Sequence, residues 1–598
     1  MLPKNTGGAA PPMAAAAAEA PAPGLPPRGG DLGSPRRGQQ AEAGARVLQR
    51  TAGVGAQKKP EKHNTFPYFY VMKSMKRFNC ALLGFVLPLL SLPLPAQITN
   101  PSEKLDGLLF FLENYYLEKI DREALIEAAL EGLLNELDPH SYYLPPRELK
   151  ASEEALSGNF EGIGVQFNIH NDTIMVVSPI SGGPSERLGI RSGDRIIFIE
   201  DTLVAGKKIS NNDVFRWLRG KKGSIVNVKI LRPGLTDLLD FAIVRDKIPV
   251  FSMDAAFMLK PGVGYLKINR FAETTVEEFK EGWTKLKALG AKDLILDLQG
   301  NSGGYLMAAT GILDQFFPKG KLLVYTQGLH SDRRDFKASG SPMLLSNRLV
   351  VLVDEGSASA SEIVSGAIQD HDRGMVVGRR TFGKGLVQNT FPMPDGSAFR
   401  LTTSRYFTPS GRFIQAPYNE GTEKYYKDLA SRFDKGELTD SGKAQIPDSL
   451  AFKTSKGRTV YGGAGIMPDV FVPLDTSFFS VCLNRITAAG LPYNVALDYV
   501  DAHRAELQET YPSIDDFNAG FDAQPLWDKL MTEVEQRKLP CKTEDFIRSK
   551  VFLMAMLKAL VAQNLKSRDA FFQVMASENE SIQKALEMLE GPWPEHLK

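Results

Sequence analysis

The stretch that most constrains the fold runs from Leu349 to Gln388. Residues 349–353 are a short apolar, β-branched run, which is typical of a buried strand, and the turn signal Asp-Glu-Gly follows at 354–356. Residues 357–368 carry small side chains first and then apolar side chains at helical spacing, which predicts a helix. A second strand-like run comes at Met375–Gly378. This succession favours an α/β fold.

Two features of the stretch suggest covalent chemistry. Ser357, Ser359 and Ser361 lie in the first turn of the predicted helix, where free N–H groups and the helix dipole favour an anion. Lys384 has a glycine on each side, which lets the backbone approach a neighbour closely. A serine hydroxyl needs a general base, and burial can lower the pKa of a lysine by up to about 3–5 units. The alternative is that the serines only cap the helix.

Residues 356–368 and 381–388 together resemble the C-terminal-processing (tail-specific) serine peptidases. In that family the nucleophile is the serine 25 residues before the lysine of the T-F-G-K-G segment, which implies Ser359 and Lys384 as nucleophile and base. The family glutamine that orients the lysine falls on Gln388. The resemblance covers most of the chain, and it implies a ClpP/crotonase-like α/β peptidase core that needs no cofactor and no metal.

A glycine-rich turn, Gln299–Gly304, follows a predicted buried strand at 293–298. It could cradle a phosphate, but no G-K-[ST] follows and the spacing does not fit G-x-G-x-x-G. We therefore prefer a role as oxyanion donor, through the backbone N–H of Gly304, or else of Gly303. The second donor would be the N–H of Ala360, directly after the proposed nucleophile.

Other polar residues have weaker claims to a role. The family usually has an arginine where Gln299 stands and often a proline or glycine at Ser302, so no side-chain role is assigned to either. His371 lies twelve residues after the proposed nucleophile, at the far end of the same helix, which is beyond hydrogen-bond reach. Asp370 could support the site from a distance, and Glu362 could orient loops or only cap the helix.

Residues from about Ser152 to Asp246 resemble a PDZ domain, with short strands, a "GDRI" segment at 193–196 and a second predicted helix at 212–218. In PDZ domains a glycine-containing loop holds a terminal carboxylate through backbone N–H groups while the peptide adds as a strand. The residues that match this loop are Gly162, Ile163, Gly164 and Val165. The resemblance therefore implies protein or peptide substrates that are bound by their C-terminus.

The front of the chain is expected to be processed. Residues 1 to about 59 are rich in alanine, proline, glycine and arginine, and the stretch 1–74 is expected to be disordered or an upstream extension that is not made. Residues 75–96 have a basic start, an apolar run and a small-residue site ending at Ala96, which predicts a secretory signal peptide. This places the protein in the periplasm or cell envelope, with an uncleaved membrane anchor as the alternative.

The regions on either side of the core are predicted to be helical. Residues 97–151 have the helical period, with two helices broken near Ile120-Asp121, and there His140 is expected to be structural. Residues 476–598 are also helical by period and carry no assigned chemistry. Either region could form a homodimer. Cys482 and Cys541 could form one disulfide in an oxidising compartment.

The prediction is thus an α/β multidomain protein whose peptidase core, residues 247–475, carries an exposed polar insertion at Tyr418–Lys456. Its function would be that of an exported serine endopeptidase that recognises C-termini through the PDZ domain. The alternative is a catalytically silent secreted PDZ scaffold, and a crotonase-like acyl-CoA enzyme is more distant. With 71 basic and 70 acidic residues, the chain shows no nucleic-acid footprint.

Overall fold

The computed structural model describes residues 102–444 and 446–597. The predicted extension at 1–74 and the predicted signal peptide at 75–96 lie outside these residues. The described residues fall into two compact units, 102–122 and 123–597. Within the described part of the chain, no helix has the length and apolar character needed to span a bilayer.

The first unit consists mainly of helix α1, Glu103–Tyr115, which buries none of its side chains within the described residues. The second unit begins with the rest of helix α2, Arg122–Asn135, which buries only Leu134. The predicted break near Ile120-Asp121 is confirmed by these bounds. The homodimer suggested for this region stays a prediction.

A short strand and a helix, β1 (Tyr142–Leu144) and α3 (Pro146–Ser157), lead into a small β-rich domain. Its main sheet has the order β3-β4-β5-β7-β8, with β6 paired to β5, while β2 and β9 form a separate two-stranded ribbon at the domain's entrance and exit. The elements are β2 (Asn159–Gly162), β3 (Val165–His170), β4 (Thr173–Pro179), α4 (Pro184–Arg187), β5 (Arg195–Ile199), β6 (Thr202–Leu203), α5 (Asn211–Leu218), β7 (Ile225–Leu231), β8 (Leu239–Val244) and β9 (Asp246–Pro249).

Two main sheets and a two-stranded ribbon, β19–β20, build the central domain. Its strands are β10 (Met253–Lys260), β11 (Val263–Ile268), β12 (Asp293–Asp297), β13 (Leu322–Gln327), β14 (Arg334–Lys337), β15 (Leu349–Val353), β16 (Met375–Gly378), β17 (Leu386–Pro392), β18 (Ala398–Phe407), β19 (Ala451–Lys453), β20 (Thr459–Tyr461) and β21 (Val470–Phe471). Its helices are α6 (Thr275–Ala288), α7 (Leu306–Leu313), α8 (Ala360–Asp370) and α9 (Thr422–Asp434).

The larger sheet has the order β10-β11-β12-β15-β16-β21 and is parallel except between β10 and β11. Alternate side chains of its strands point to opposite faces. On one face Leu296 and Val351 pack with residues of α6, α7 and α8. On the other face Ile295 and Val350 pack with residues of the C-terminal region. Because both faces are covered, the strands are apolar throughout.

The smaller sheet joins β1 to β18, and β18 to β13 and β17. Strand β1 pairs with β18 through Tyr142 and Arg400, so the N-terminal segment is part of the central domain. Strands β17 and β18 form a hairpin, whose turn contains Pro394-Asp395-Gly396.

The C-terminal region is helical, as predicted. Its helices are α10 (Val481–Ala488), α11 (Leu491–Thr510), α12 (Ile514–Gly520), α13 (Gln524–Gln536), α14 (Thr543–Leu565), α15 (Arg568–Met575) and α16 (Glu580–Glu590). Cys482 and Cys541 form a disulfide, with their Cα atoms 4.9 Å apart. Helix α11 also contacts the small β-rich domain through an ion pair between Asp501 and Arg195 (3.0 Å).

One sequence-based expectation is wrong and another is incomplete. The helix after β15 starts at Ala360, so Ser357 lies in the preceding turn and Ser359 is the residue before the helix. The segment 418–456 is largely exposed, as expected, but it is also packed onto the central domain. Its helix α9 buries Tyr425 and Arg432, because the ring of Tyr425 packs near Phe382 and the guanidinium of Arg432 pairs with Glu437.

Candidate active site

Ser359 stands at the sharp turn between β15 and α8. Its φ is +52° and its ψ is −109°, a combination that side-chain-bearing residues rarely adopt. Holding such a residue costs about 1–3 kcal/mol, so it persists only where the surroundings enforce it, and such residues cluster at functional sites. A strained strand-to-helix turn is also the arrangement that presents the nucleophilic serine of α/β-hydrolases.

The neighbouring serines have structural work. The hydroxyl of Ser357 donates to the carbonyl oxygen of Leu298 (2.8 Å), and that of Ser361 donates to the carbonyl oxygen of Asn301 (2.8 Å). Both serines are fully buried, whereas Ser359 is only half-buried. Among the three serines, this arrangement favours Ser359 as the nucleophile.

The glycine-rich turn after β12 packs directly against Ser359. A Cβ atom on Gly303 would lie 2.8 Å from the Cβ of Ser359 and 3.1 Å from the backbone nitrogen of Ala360. Asn301 holds the turn in place, because its carbonyl oxygen accepts the N–H of Ala358 (2.9 Å) and its side-chain amide donates to Ile268 (2.9 Å). The two turns therefore form one surface around the serine.

The backbone N–H groups on this surface differ in availability. The N–H of Gly303 donates to the side-chain oxygen of Asn301 (2.9 Å). Within residues 102–444 and 446–597, the N–H groups of Gly304 and Ala360 have no hydrogen-bond partner. Of the two glycines considered from the sequence, Gly304 is thus the better candidate for an oxyanion donor, and Ala360 stays the candidate for the second donor.

The lysine segment is tied to the serine turn by a buried carboxylate. Glu362 is fully buried, and its Oε2 accepts the N–H of Ser359 (2.8 Å) and the N–H of Lys384 (2.8 Å). Its Oε1 accepts the N–H of Gly383 (2.7 Å) and the hydroxyl of Thr381 (2.6 Å). Four donors thus converge on one side chain, which aligns the two segments.

A tyrosine holds the same two residues from their carbonyl sides. The buried hydroxyl of Tyr406, on β18, lies 2.5 Å from the carbonyl oxygen of Lys384 and 3.1 Å from that of Ser359. Ser359 and Lys384 are therefore bridged twice, once through their N–H groups and once through their carbonyl groups.

Burial sets the electrostatics of the pair. It lowers the pKa of Lys384 to about 8, helped by the positive charge of Arg400 and opposed by Glu362 and Asp138. Burial also raises the pKa of Glu362 to about 7, although its hydrogen bonds oppose the rise. A lysine with a pKa near 8 is partly the free base at neutral pH, which is what a general base requires.

Gln388 lies on β17, four residues beyond the lysine. Its side-chain amide donates to the hydroxyl of Thr402 (3.2 Å), the residue it faces across the β17–β18 ladder. The role expected from the sequence, orienting Lys384, stays a prediction.

The small domain has the features of a peptide-binding site. Strand β3 pairs only with β4 in the described sheet, so its other edge is open for an added strand. In the loop before β3, Gly164 has φ +74°, and a Cβ there would lie 2.9 Å from the side chain of Ile248. Of the other three loop residues, Gly162 ends β2 and Val165 begins β3. Ile163 is buried, and its carbonyl oxygen accepts a hydrogen bond from the hydroxyl of Ser185 (2.6 Å).

The remaining candidates lie outside this constellation. The side chain of Gln299 bonds to the C-terminal region: its oxygen accepts from Asn579 (2.9 Å) and its amide donates to Ser581 (3.4 Å). The ring of His371 contacts the carbonyl oxygen of Leu322 (2.6 Å). Among the described residues, no group of His, Cys, Asp and Glu could hold a metal ion.

Sequence reasoning underrated Glu362 and missed Asn301 and Tyr406. A signal for Glu362 was present, because it lies three residues after Ser359, where a capping carboxylate is common. No local pattern marks Tyr406, whose role depends on β18 crossing both segments.

Comparisons with known proteins agree with this layout. The profile of Peptidase family S41 matches residues 262–424, and that of the PDZ domain matches residues 162–243. A family of unknown function (DUF8443) matches residues 482–566 in the C-terminal region. The predicted peptidase fold with a PDZ domain is therefore confirmed.

Two curated relatives share similar parts. The carboxy-terminal processing protease CtpB of Bacillus subtilis (strain 168) is 37% identical over 319 residues, which are 52% of this chain and 65% of CtpB. The carboxy-terminal-processing protease of Bartonella bacilliformis is 36% identical over 304 residues, 50% of this chain and 69% of that protein. The chain thus spans slightly less than two thirds of CtpB.

A solved structure, the photosystem II D1 C-terminal processing protease, is 27% identical with a TM-score of 0.32. The match covers 62% of this chain and 87% of that protein.

Proposed function

The chain belongs to peptidase family S41, the family of the carboxy-terminal processing proteases, and on this premise we propose that it is a serine endopeptidase with a Ser359–Lys384 dyad. One observation carries the proposal. The carboxylate of Glu362 accepts both backbone N–H groups of the pair at 2.8 Å, so a strained serine and a desolvated lysine are held together. A silent scaffold has no need of either feature, and both are unfavourable for stability.

In the proposed reaction, Ser359 Oγ attacks the substrate's carbonyl carbon while its proton passes to the free amine of Lys384. The carbonyl oxygen becomes an oxyanion and accepts the N–H groups of Gly304 and Ala360. The Lys384 ammonium then gives its proton to the leaving amine as the peptide C–N bond breaks. A water molecule hydrolyses the resulting ester, with Lys384 again taking and returning a proton, and Ser359 is restored.

The substrates would be proteins or peptides whose C-terminus binds the PDZ domain. The open edge of β3 supports strand addition, and the loop at residues 162–165 would supply N–H groups to the terminal carboxylate. Phe167 of β3 and Phe215 of α5 stand 5.4 Å apart between ring centres, so an apolar side chain of the peptide would meet aromatic rings.

We place the protein in the periplasm or cell envelope after removal of a signal peptide at 75–96. The disulfide between Cys482 and Cys541 supports this proposal, because structural disulfides persist in oxidising compartments.

The catalytic assignment is tested with Ser359→Ala and Lys384→Ala, assayed on an unfolded protein with an apolar C-terminus. Each variant should lose cleavage by at least about a thousandfold, since members of such a unit act together. Ser357→Ala is the matched control and should keep cleavage within a few fold if it folds. Near-native cleavage by Lys384→Ala at neutral pH would show that the dyad is wrong.

A further inference from the structure

The segment between α2 and β1, residues 136–141, carries Asp138 and His140, which both interact electrostatically with Lys384, the proposed base. Asp138 in this segment is only 8% exposed. Its carboxylate accepts the N–H of His140 (2.8 Å) and the hydroxyl of Ser141 (2.6 Å), which makes a tight local turn. It also accepts the hydroxyl of Thr402 (3.0 Å), a residue of β18. A residue from the N-terminal segment is thus anchored inside the central domain.

A continuous set of hydrogen bonds leads from Asp138 toward the lysine strand. Thr402, which donates to Asp138, also accepts from the side chain of Gln388 (3.2 Å). Gln388 lies on β17, which begins two residues after Lys384. The carboxylate of Asp138 therefore has a defined position relative to this strand, and its negative charge acts on the Lys384 ammonium.

Helix α9 secures this position from the other side. Three of its side chains hold the segment around Asp138: Thr422 donates to Asn135 O (3.1 Å), Tyr426 donates to Pro139 O (3.0 Å), and Tyr425 contacts His140 Nε2 (3.4 Å). The same helix holds the lysine segment, because Arg432 donates to the carbonyl oxygens of Thr381 (3.0 Å) and Arg380 (2.7 Å). Helix α9 therefore fixes the position of the segment around Asp138 relative to the segment around Lys384.

The charged and titratable groups that act on Lys384 belong to three parts of the fold. Arg400 lies on β18 and is held by Tyr142 (2.7 Å) and Ser152. Glu362 lies on α8, and Asp138 and His140 come from the N-terminal segment. Burial and the lysine charge lower the pKa of His140 to about 3, so His140 is neutral at working pH. Among the described residues before β1, Asp138 is then the carboxylate whose charge acts on the lysine.

We propose that Asp138 is a positioning residue for the reaction, stabilising the ammonium form of Lys384 after the lysine has taken the proton of Ser359. This inference rests on the proposed Ser359–Lys384 dyad. In the step concerned, the Ser359 O–H bond breaks and a Lys384 N–H bond forms, so positive charge appears on the lysine as the oxyanion forms. A nearby carboxylate favours that charge without contacting the substrate.

The test is the pH dependence of kcat/KM for the full chain with Asp138→Asn. Losing the carboxylate disfavours the ammonium, so the acidic limb of the profile should move to lower pH by about one unit. At a fixed pH on that limb, activity relative to the plateau then rises about tenfold. Glu136→Gln removes an exposed carboxylate two residues away and should leave the limb in place. Arg400→Gln should move the limb the opposite way, because it removes a cation.

A turn-forming role alone would lower stability and leave the limb where it is. If Asp138→Asn fails to fold, Asp138→Ser keeps a side-chain oxygen for the turn without the charge, and the same shift is expected. Asp138→Glu restores the charge and should restore the wild-type limb. An unmoved limb in both neutral variants overturns the inference. Unchanged cleavage in Ser359→Ala would instead overturn the proposed dyad, so the two failures are distinguishable.

Discussion

Gly303 lies so close to Ser359 that a Cβ atom at position 303 would stand 2.8 Å from the Cβ of Ser359. Gly303 also has φ +109°, a conformation that side-chain-bearing residues rarely adopt. The glycine is therefore required twice, by its own backbone and by the serine beside it. The turn after β12 and the turn before α8 fit together only because this position has no side chain.

We expect Gly303→Ala to remove most activity, because the added methyl must displace the Ser359 turn or the Gly304 N–H. Loss of one oxyanion donor reduces kcat by about 10²–10³-fold, and this is the size of effect expected. Gly320→Ala is the matched control, since Gly320 has φ +83° with open space around it. The control should be destabilised by about 1 kcal/mol and should keep its full activity. Equal kcat values for the two variants would contradict the proposed fit.

Replacing the proposed base should stabilise the protein. The pKa of Lys384 falls from 10.5 to about 8 on folding, because burial disfavours the charged form. The cost of burying the charged lysine is therefore full below pH 8 and disappears as pH rises through 10.5. At pH 7 we therefore expect Lys384→Met to gain up to about 3 kcal/mol in urea unfolding, at 1.36 kcal/mol per pKa unit. The gain should shrink as pH approaches 10.5.

A suitable control for this experiment is Lys427→Met. Lys427 forms an exposed ion pair with Glu423, so its replacement should change stability by about 0.5 kcal/mol or less at any pH. A gain in Lys384→Met that does not vary with pH would show that side-chain packing, and not the lysine charge, is responsible.

The PDZ domain should make cleavage sensitive to the substrate's C-terminal carboxylate. Amidation removes a charge-assisted hydrogen bond, which contributes about 1.5–3 kcal/mol, or roughly a ten- to hundredfold change in apparent affinity. We expect amidated peptides to show this increase in KM compared with the free acids.

The structure offers a clean control for the carboxylate effect. Gly162 faces Asp246 across the β2–β9 ladder, so a short turn can replace residues 163–245 without disturbing the ribbon. In that variant, the free and amidated peptides should be cleaved equally. A preference that survives the excision would place carboxylate recognition outside the PDZ domain.

If the protein is exported, the mature chain should have a defined N-terminus. N-terminal sequencing of the protein from its native host should find Gln97 at or near the start, because the predicted signal peptide ends at Ala96. Mass spectrometry without reduction should find one peptide pair joined through Cys482 and Cys541. Recovery of a soluble form that retains residues before Met75 would contradict both the internal start and export.

Much of the architecture could be predicted from local pattern. The apolar runs at 293–298 and 349–353 were recognisable as buried strands, because a strand that is covered on both faces needs apolar residues throughout. In the structure they form adjacent parallel strands. The PDZ-like stretch and both helical regions were likewise recognisable. Two local errors arose from the same source, since the start of α8 and the burial of α9 depend on partners far away in the chain.

By itself, the sequence determined the candidates for the proposed pair. Three serines after a strand and a lysine between glycines are patterns of a few neighbouring residues, and the resemblance to the peptidase family selected Ser359 and Lys384. Only the tertiary structure decided how they are joined. Glu362, Tyr406 and Asp138 approach the pair from a helix, a distant strand and the N-terminal segment. Sequence spacing does not encode such distances, whereas burial makes each unpaired charge or hydrogen-bonding group unfavourable unless the fold brings it a partner.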